Sequence, residues 1–273
     1  MMGYCLEENQ RNEFQWIRIS LMQVNIASLR HSTFKPKSPY PRMPEQSILD
    51  YLDAELAERS YLVQRKIKIA AKTAREARGQ GAYLFFTLPE FFWNVPWSAV
   101  RSEEELHELN SAYLEKVPEC VALLISELPV EKYGRIILLA GSCAALIKVG
   151  EGGTGYYDVI NYLLTISNKD FEADRPLISM WPKRYVSGID FGKHVGKEHG
   201  YWFFKLFDEV VVRVKDVSSV QAEHSYFGGY GATFINSLIA DCPFSINLCL
   251  DYAELKEGER GKEIELAGSK IDF

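Results

Sequence analysis

Three short segments of the sequence each place a reactive side chain at the end of an apolar run. The segments are 88–91, 181–184 and 246–251, and their reactive residues are Glu90, Lys183 and Cys249. A thiol with a pKa near ~8.5 is a weak nucleophile at neutral pH, and a neighbouring ammonium favours its thiolate. A nearby carboxylate can accept the thiol proton and later deliver it to a leaving amine. If the fold brings the three side chains together, they can cleave a carbon–nitrogen bond.

Each of these residues, taken alone, also has an ordinary structural explanation. Glu90 fits a solvated strand end, and Lys183 fits a surface cation. Cys249 fits a buried small apolar residue, which is the commonest role of a free cysteine. The order of the three residues and their local contexts favour the functional interpretation.

The combined pattern resembles the nitrilase superfamily of carbon–nitrogen hydrolases over roughly residues 16–273. The family has a Glu in a Pro-Glu pair after an apolar strand, then a Lys, and then a Cys in an apolar strand followed by x-Asp. This sequence has Pro89-Glu90, Lys183 and Cys249-Leu250-Asp251 in that order. Three auxiliary features also match the family. They are Gln23 near the end of the first predicted strand (16–24), Gly141-Ser142 at the end of the predicted strand 135–142, and Asn161 in the next predicted strand (158–167), which returns beside it as a hairpin.

The resemblance implies an α/β fold of the αββα sandwich type, with mixed sheets flanked by helices, which usually assembles into homodimers or higher oligomers. It implies that Cys249 attacks a small-molecule amide or nitrile, with Glu90 as general base and then acid. Lys183 and the backbone N–H of Leu250 would stabilise the developing negative charge. No metal or organic cofactor is implied. Many members have a second Glu after the Lys; Asp190 and Glu198 lie in that region, and neither matches it securely.

The C-terminus departs from the family pattern. Only residues 250–273 follow Cys249, whereas the family continues for several more strands and helices, so C-terminal strands are expected to be missing. Residues 261–267 predict a helix and residues 270–273 the opening of a strand. Three explanations fit: a minimal enzyme closed by other segments, a chain that needs a partner, or a truncated product. The alternative function is therefore an inactive or truncated nitrilase-like protein that acts by binding or assembly.

Hydrophobic periodicity predicts the elements that must position these residues. Helical spacing covers 46–79 and 103–127, and a continuous apolar run at 82–88 predicts a strand buried on both faces. Other strands are predicted at 16–24, 135–142, 158–167 and within 203–215, with a hairpin turn at 150–155, a proline-rich loop at 31–44, and apolar runs at 232–240 and 244–250. This order predicts an α/β arrangement in one domain, 1–273, preceded by a polar leader at 1–14.

Composition narrows the class of protein. The net charge of −6 argues against a nucleic-acid-binding surface. No apolar run is long enough to span a membrane and no secretory signal is visible, which predicts a cytoplasmic protein. Five scattered cysteines fit reduced thiols better than a disulfide framework.

Two further motifs are given structural rather than functional interpretations. His194, Glu198 and His199 do not have a zinc-protease spacing, and the glycines around them predict a polar loop. The glycine-rich segment 150–155 precedes a strand rather than a helix, so it lacks the helix N-terminus of a phosphate loop.

Overall fold

The computed structural model describes the secondary structure of residues 24–31, 33, 41–78, 83–149, 156–169, 171–172, 178–183, 186–188, 190–207, 210–215, 244–246, 248 and 271–272. Within these ranges the helices are α1 (Ile48–Arg78), α2 (Glu103–Ser126) and α3 (Val130–Tyr133). The strands are β1 (Val24–Ser28), β2 (Tyr83–Thr87), β3 (Arg135–Val149), β4 (Tyr156–Ser167), β5 (Ile178–Pro182), β6 (Lys193–Glu198), β7 (Tyr201–Phe207), β8 (Val210–Lys215), β9 (Phe244–Ser245) and β10 (Ile271–Asp272).

One mixed sheet of eight strands organises the described part of the chain. Its order is β1-β2-β3-β4-β8-β7-β6, and β5 pairs with the end of β4 that β8 leaves uncovered. The first three strands run parallel, and β3 and β4 form the predicted antiparallel hairpin. The α/β class predicted from the order of elements is confirmed.

The two long helices begin and end within two residues of the predicted bounds. Ser102 caps α2 by accepting a hydrogen bond from the backbone N–H of Glu105, and acidic side chains fill its first turn. Both features compensate the free N–H groups and the positive end of the helix dipole. The apolar faces of both helices are buried against the sheet. The 3.6-residue periodicity therefore gave the position of both helices correctly. It gave their buried faces only in part, because Tyr61, Ile69 and Leu114, which belong to the apolar pattern, are exposed.

The sheet is buried on both faces, as the continuous apolar run at 82–88 predicts. Leu84 and Phe86 of β2 point to the helices, whereas Tyr83 and Phe85 point to the opposite face. We call the apolar residues on that opposite face the second-face cluster; they are Tyr83, Phe85, Ile137, Leu139, Leu163, Trp181, Ile246 and Leu248. Ile246 and Leu248, which follow the strands of the sheet in the sequence, thus pack on the face away from the helices.

The first strand differs from its predicted bounds. Of the predicted span 16–24, only Val24 lies within the described residues, and the strand continues to Ser28. Asn25 and Ser28 are polar, so hydrophobic alternation stopped the prediction early. Parallel pairing with β2, from Val24 opposite Tyr83 to Ser28 opposite Thr87, sets the actual end.

The third strand is longer than predicted. Residues 135–142 were expected, but β3 continues to Val149 and passes through Gly141-Ser142 instead of ending there. The register with β4 shifts between Leu139 and Ser142, which is the signature of a bulge. Gly141 adopts φ +70° at this bulge, a conformation that glycine reaches without strain.

The polar loop predicted around 192–200 is wrong. β6 pairs antiparallel with β7, and the two-residue turn between them is His199-Gly200. Both turn residues have positive φ, 49° and 79°, as in the tight turns whose twist matches that of a β-hairpin. The β-structure predicted at 203–215 is confirmed as β7 and β8.

Other predictions fall partly or wholly outside the described residues. These are the leader at 1–14, most of the loop at 31–44, the turn at 150–155, the apolar run at 232–240 and the helix at 261–267. At the C-terminus, the predicted strand within 270–273 is present as β10, which pairs parallel with β9. None of the helices that the structure describes is long and apolar enough to cross a membrane.

Candidate functional site

Glu90 lies just beyond the carboxyl end of β2, where parallel α/β sheets usually display functional side chains. The ladder continues one residue past the strand, because the N–H of Leu88 donates to the carbonyl of Leu139 at 2.9 Å. Pro89 then has no N–H to continue the ladder. Phe91, directly after Glu90, adopts φ 56°, a strained conformation for an aromatic residue.

The turn after Glu90 is anchored to the bulge of β3. The Phe91 N–H donates to Ser142 Oγ at 3.0 Å, and Trp93 Nε1 donates to the carbonyl of Ala140 at 2.6 Å. The Asn94 side chain pairs with both backbone groups of Ala144, at 2.8 and 2.9 Å. Groups of β3 at the bulge and beyond it, where β3 extends past its pairing with β2, thus hold the strained conformation of the turn.

Helices α1 and α2 hold the same turn from the other side. Arg59 of α1 donates to the carbonyls of Phe92 and Asn94 at 2.5 and 2.9 Å, and pairs with Glu55. Tyr113 of α2 accepts from the Val95 N–H at 2.8 Å. Burial raises the pKa of the Tyr113 hydroxyl far above its ordinary value, so this group stays neutral.

Lys183 follows β5 and contacts Glu90 across a gap of 93 residues in sequence. Its Nζ lies 2.7 Å from Glu90 Oε1 and 2.7 Å from Asp190 Oδ2. The side chains of Lys183, Glu90 and Asp190 are 4%, 13% and 2% exposed. The site is therefore a largely buried ammonium held between two carboxylates.

Burial and charge have opposite effects on the titration of these groups. Burial alone lowers the pKa of the Lys183 ammonium, but Glu90 and Asp190 outweigh it and raise the pKa above the ordinary value. Burial raises the pKa of Asp190, and the attraction of Lys183 does not cancel this increase, to which Glu90 adds. Lys183 is thus a fixed positive charge at neutral pH.

Asn161 of β4 connects the two principal residues. Its Nδ2 donates to Glu90 Oε1 at 2.9 Å, and its backbone carbonyl accepts from the Lys183 N–H at 2.8 Å. The second bond extends the antiparallel β4–β5 ladder by one residue and so sets where the Lys183 side chain begins. Asn161 is 7% exposed.

The structure brings together Glu90, Lys183 and the auxiliary residues Ser142 and Asn161. Of the two residues considered for the second acidic position, Asp190 contacts Lys183, whereas the side chain of Glu198 is 70% exposed in the β6–β7 hairpin. Cys249 and Gln23 lie outside the described residues. Leu248, immediately before Cys249, is buried in the second-face cluster together with Trp181 of β5.

Sequence reasoning missed the residues that hold the Glu90 turn, notably Asn94 and Arg59. The only available signal was the unusual run Trp93-Asn94-Val95-Pro96 after an apolar strand. Both residues act on backbone groups far away in sequence, and no periodicity marks such contacts.

The motif His194, Glu198 and His199 contributes no side chain to this site. His194 packs against the rings of Trp202 and Phe204, and His199 pairs with Glu198 at the exposed hairpin tip. Among the residues with described positions, no group of three or more His, Cys, Asp or Glu side chains has a metal-binding arrangement.

The described residues thus supply a carboxylate able to exchange a proton and a permanent cation beside it. Such a pair can move a proton to a leaving group and stabilise negative charge that develops on an oxygen or sulfur atom. Comparison of the chain with protein-family models, with curated proteins and with solved structures gave no significant match.

Proposed function

We propose that the chain is a carbon–nitrogen hydrolase of the nitrilase superfamily type, which acts on non-peptide amides or related small molecules. The observation that carries this proposal is the buried contact between Glu90 and Lys183. The two residues were selected from the sequence as partners in one reaction, and a random pair 93 residues apart has little chance of meeting at 2.7 Å.

The hydrogen-bonding capacity of Lys183 suits the role of oxyanion stabiliser. An ammonium has three N–H donors, and Glu90 and Asp190 engage two of them. Within the described residues the third donor has no partner. The raised pKa of Lys183 keeps the ammonium charged, so this donor is available to an oxygen that becomes negative during the reaction.

The arrangement around Glu90 suits proton transfer. Both hydrogen bonds that the described residues make to its carboxylate end on Oε1. The other oxygen, Oε2, remains for a proton that arrives from a thiol and leaves with an amine. Because Oε1 is held by Lys183 and Asn161, the carboxylate is oriented before a substrate binds.

In the proposed reaction Cys249 transfers its proton to Glu90 as its sulfur forms a bond to the carbonyl carbon, whose oxygen becomes negative near Lys183. The carbon–nitrogen bond then breaks as Glu90 returns the proton to the leaving nitrogen, which gives a thioester. Water attacks the thioester and gives a proton to Glu90, which passes it to the departing thiolate. The products are an acid and an amine, and no cofactor takes part.

Packing on the second-face cluster supports the participation of Cys249. Ile246 and Leu248 are buried against strands of the main sheet, and the cluster includes Trp181, two residues before Lys183. The chain thus reaches this face of the sheet one residue before Cys249. Packing of Ile246 and Leu248 over the face away from the helices also fits the proposed αββα sandwich, in which this face is covered by a second sheet.

Labelling of cysteines with iodoacetamide as a function of pH, followed residue by residue by mass spectrometry, tests the proposal. We expect Cys249, as a thiol beside the Lys183 ammonium, to react near pH 6 faster than an unfolded thiol. The substitution Lys183→Met should slow the labelling of Cys249 about tenfold or more. The matched control is Lys116→Met, because Lys116 pairs with Asp53 on the surface.

Cys143 provides an internal control for unfolding. It is fully buried, and burial raises the pKa of its thiol to about 12, so it should react only in unfolded molecules. If Cys249 of the folded protein is inert near pH 6, or reacts like a denatured thiol, the catalytic proposal is wrong. Equal rates for Lys183→Met and Lys116→Met would remove Lys183 from the mechanism.

A further inference from the structure

Asn161 has a second polar atom that its contacts in the site leave unused. Its Nδ2 faces Glu90, and this orientation is required, because only the NH2 group of an amide can donate to a carboxylate. The carbonyl oxygen Oδ1 is bonded to the same carbon as Nδ2. It therefore lies beside the Glu90 carboxylate, and it can only accept a hydrogen bond.

Oδ1 of Asn161 is buried and accepts no hydrogen bond from the residues that the structure describes. Buried side-chain polar atoms nearly always have a partner, and each exception calls for an explanation. The other contacts of Asn161, to Glu90 and to the Lys183 backbone, are well formed. An acceptor without a donor in an otherwise satisfied group points to a donor supplied by a ligand.

In the proposed reaction the leaving nitrogen is the donor that comes to this position. Glu90 must reach that nitrogen within hydrogen-bond distance to protonate it, and Oδ1 lies next to Glu90. A primary carboxamide keeps an N–H for Oδ1 while its nitrogen receives the proton. A nitrile carbon–nitrogen group and a tertiary amide have no N–H to offer.

We propose that Asn161 is a specificity-determining residue whose Oδ1 accepts an N–H of the scissile group, so that the enzyme selects carboxamides with a free N–H over nitriles and tertiary amides. This inference rests on the proposed hydrolase function. A site built around a polar group rejects analogues that leave this group unpaired.

The test compares three substrates that release the same acid: hexanamide, N,N-dimethylhexanamide and p-nitrophenyl hexanoate, together with their homologues of two to eight acyl carbons. In the unmodified chain we expect a strong preference for the primary amide over the dimethyl amide. In Asn161→Leu the ratio of their kcat/KM values should fall about 5- to 150-fold, as expected when one hydrogen bond to a buried acceptor is lost. The ratio isolates this contact, because loss of the Glu90 contact slows all three substrates together.

Two further variants separate recognition from general damage. Asn161→Asp keeps an acceptor at this position but loses the donor to Glu90, so rates should fall while the ratio stays within about threefold of the parent. Asn110→Leu replaces a buried amide that bonds Leu146 from the helix side of the sheet, and it should leave the ratio unchanged.

The outcomes distinguish this inference from the proposed function. If no member of the series, including the activated ester, releases acid, the hydrolase proposal fails and this inference fails with it. If acid is released but Asn161→Leu has the parental ratio, the hydrolase proposal stands and the inference is overturned. The donor for Oδ1 would then belong to the chain itself.

Discussion

Replacing Lys183 by Met removes the one cation that lies between two buried carboxylates in the described site. Met has a similar length and an apolar body, so the main change is the loss of the ammonium. At pH 7 Glu90 and Asp190 would then face each other, with side chains only 13% and 2% exposed. The two negative charges would repel each other, and because both are buried, water would screen this repulsion only weakly.

The size of the expected loss in stability follows from the burial of the two carboxylates rather than from the number of contacts that Lys183 makes. Removing one partner of a buried ion pair costs about 3–5 kcal/mol, because the remaining charge is left uncompensated. We expect this loss in the free energy of unfolding of Lys183→Met at pH 7. The loss should shrink as the pH falls toward about 5, because burial raises the pKa of Asp190 and this carboxylate can then take up a proton.

Urea unfolding at several pH values, followed by circular dichroism, measures this effect. Lys116→Met is the control, since Lys116 and Asp53 are 34% and 53% exposed and such pairs contribute about 1 kcal/mol or less. Lys183→Met combined with Asp190→Asn should recover part of the stability by removing one of the two charges. If Lys183→Met costs no more than the control at pH 7, the assignment of Lys183 as the compensating charge is refuted.

Two other predictions concern the same site. Gly141→Ala should lower the free energy of unfolding by about 1–3 kcal/mol or more, because φ is +70° and an added Cβ would lie 2.5 Å from the carbonyl oxygen of Pro89. The control is Gly196→Ala, where an added Cβ meets nothing within 4 Å and the free energy should stay within about 0.5 kcal/mol of the parent. Equal losses of stability for the two variants in urea unfolding would contradict the role of the bulge. Asp190 holds its proton more tightly in the folded state than in the unfolded state, so it reduces stability as the pH rises above its ordinary pKa of about 3.9. Asp190→Asn should therefore gain stability relative to the parent as the pH rises from about 4, and a difference in free energy that is constant with pH would count against the raised pKa.

Local pattern was enough to predict the main elements of the α/β fold. The bounds of α1 and α2 follow from the spacing of apolar residues. β2 follows from the continuous apolar run at 82–88, and four of its five residues are buried. These patterns are short in range, because each helix or buried strand shows its own periodicity whatever its neighbours do. Glu90 and Lys183 also follow directly after apolar runs, but it was their order with Cys249, and the resemblance of this pattern to the nitrilase superfamily, that selected them.

Predictions failed where pairing between strands overrides local pattern. β3 continues past Gly141 because its bulge restores a register with β4 that a sequence pattern does not contain. The segment 193–198 is polar and rich in glycine on either side, yet it forms β6, because β7 supplies a paired neighbour. Strand formation depends on partners distant in sequence, so composition alone misjudges such segments.

The sequence by itself determined which reactive residue types are available and that Glu90 and Lys183 stand at strand ends. Only the tertiary structure decided that Asp190, rather than Glu198, is the second acidic partner of Lys183. It also decided that Asn161 orients Glu90, and that the turn after Glu90 is held by Ser142 and Asn94. The physical reason is that an ion pair or a hydrogen bond depends on distances of about 3 Å, and these are set by the register of strands and the packing of distant segments.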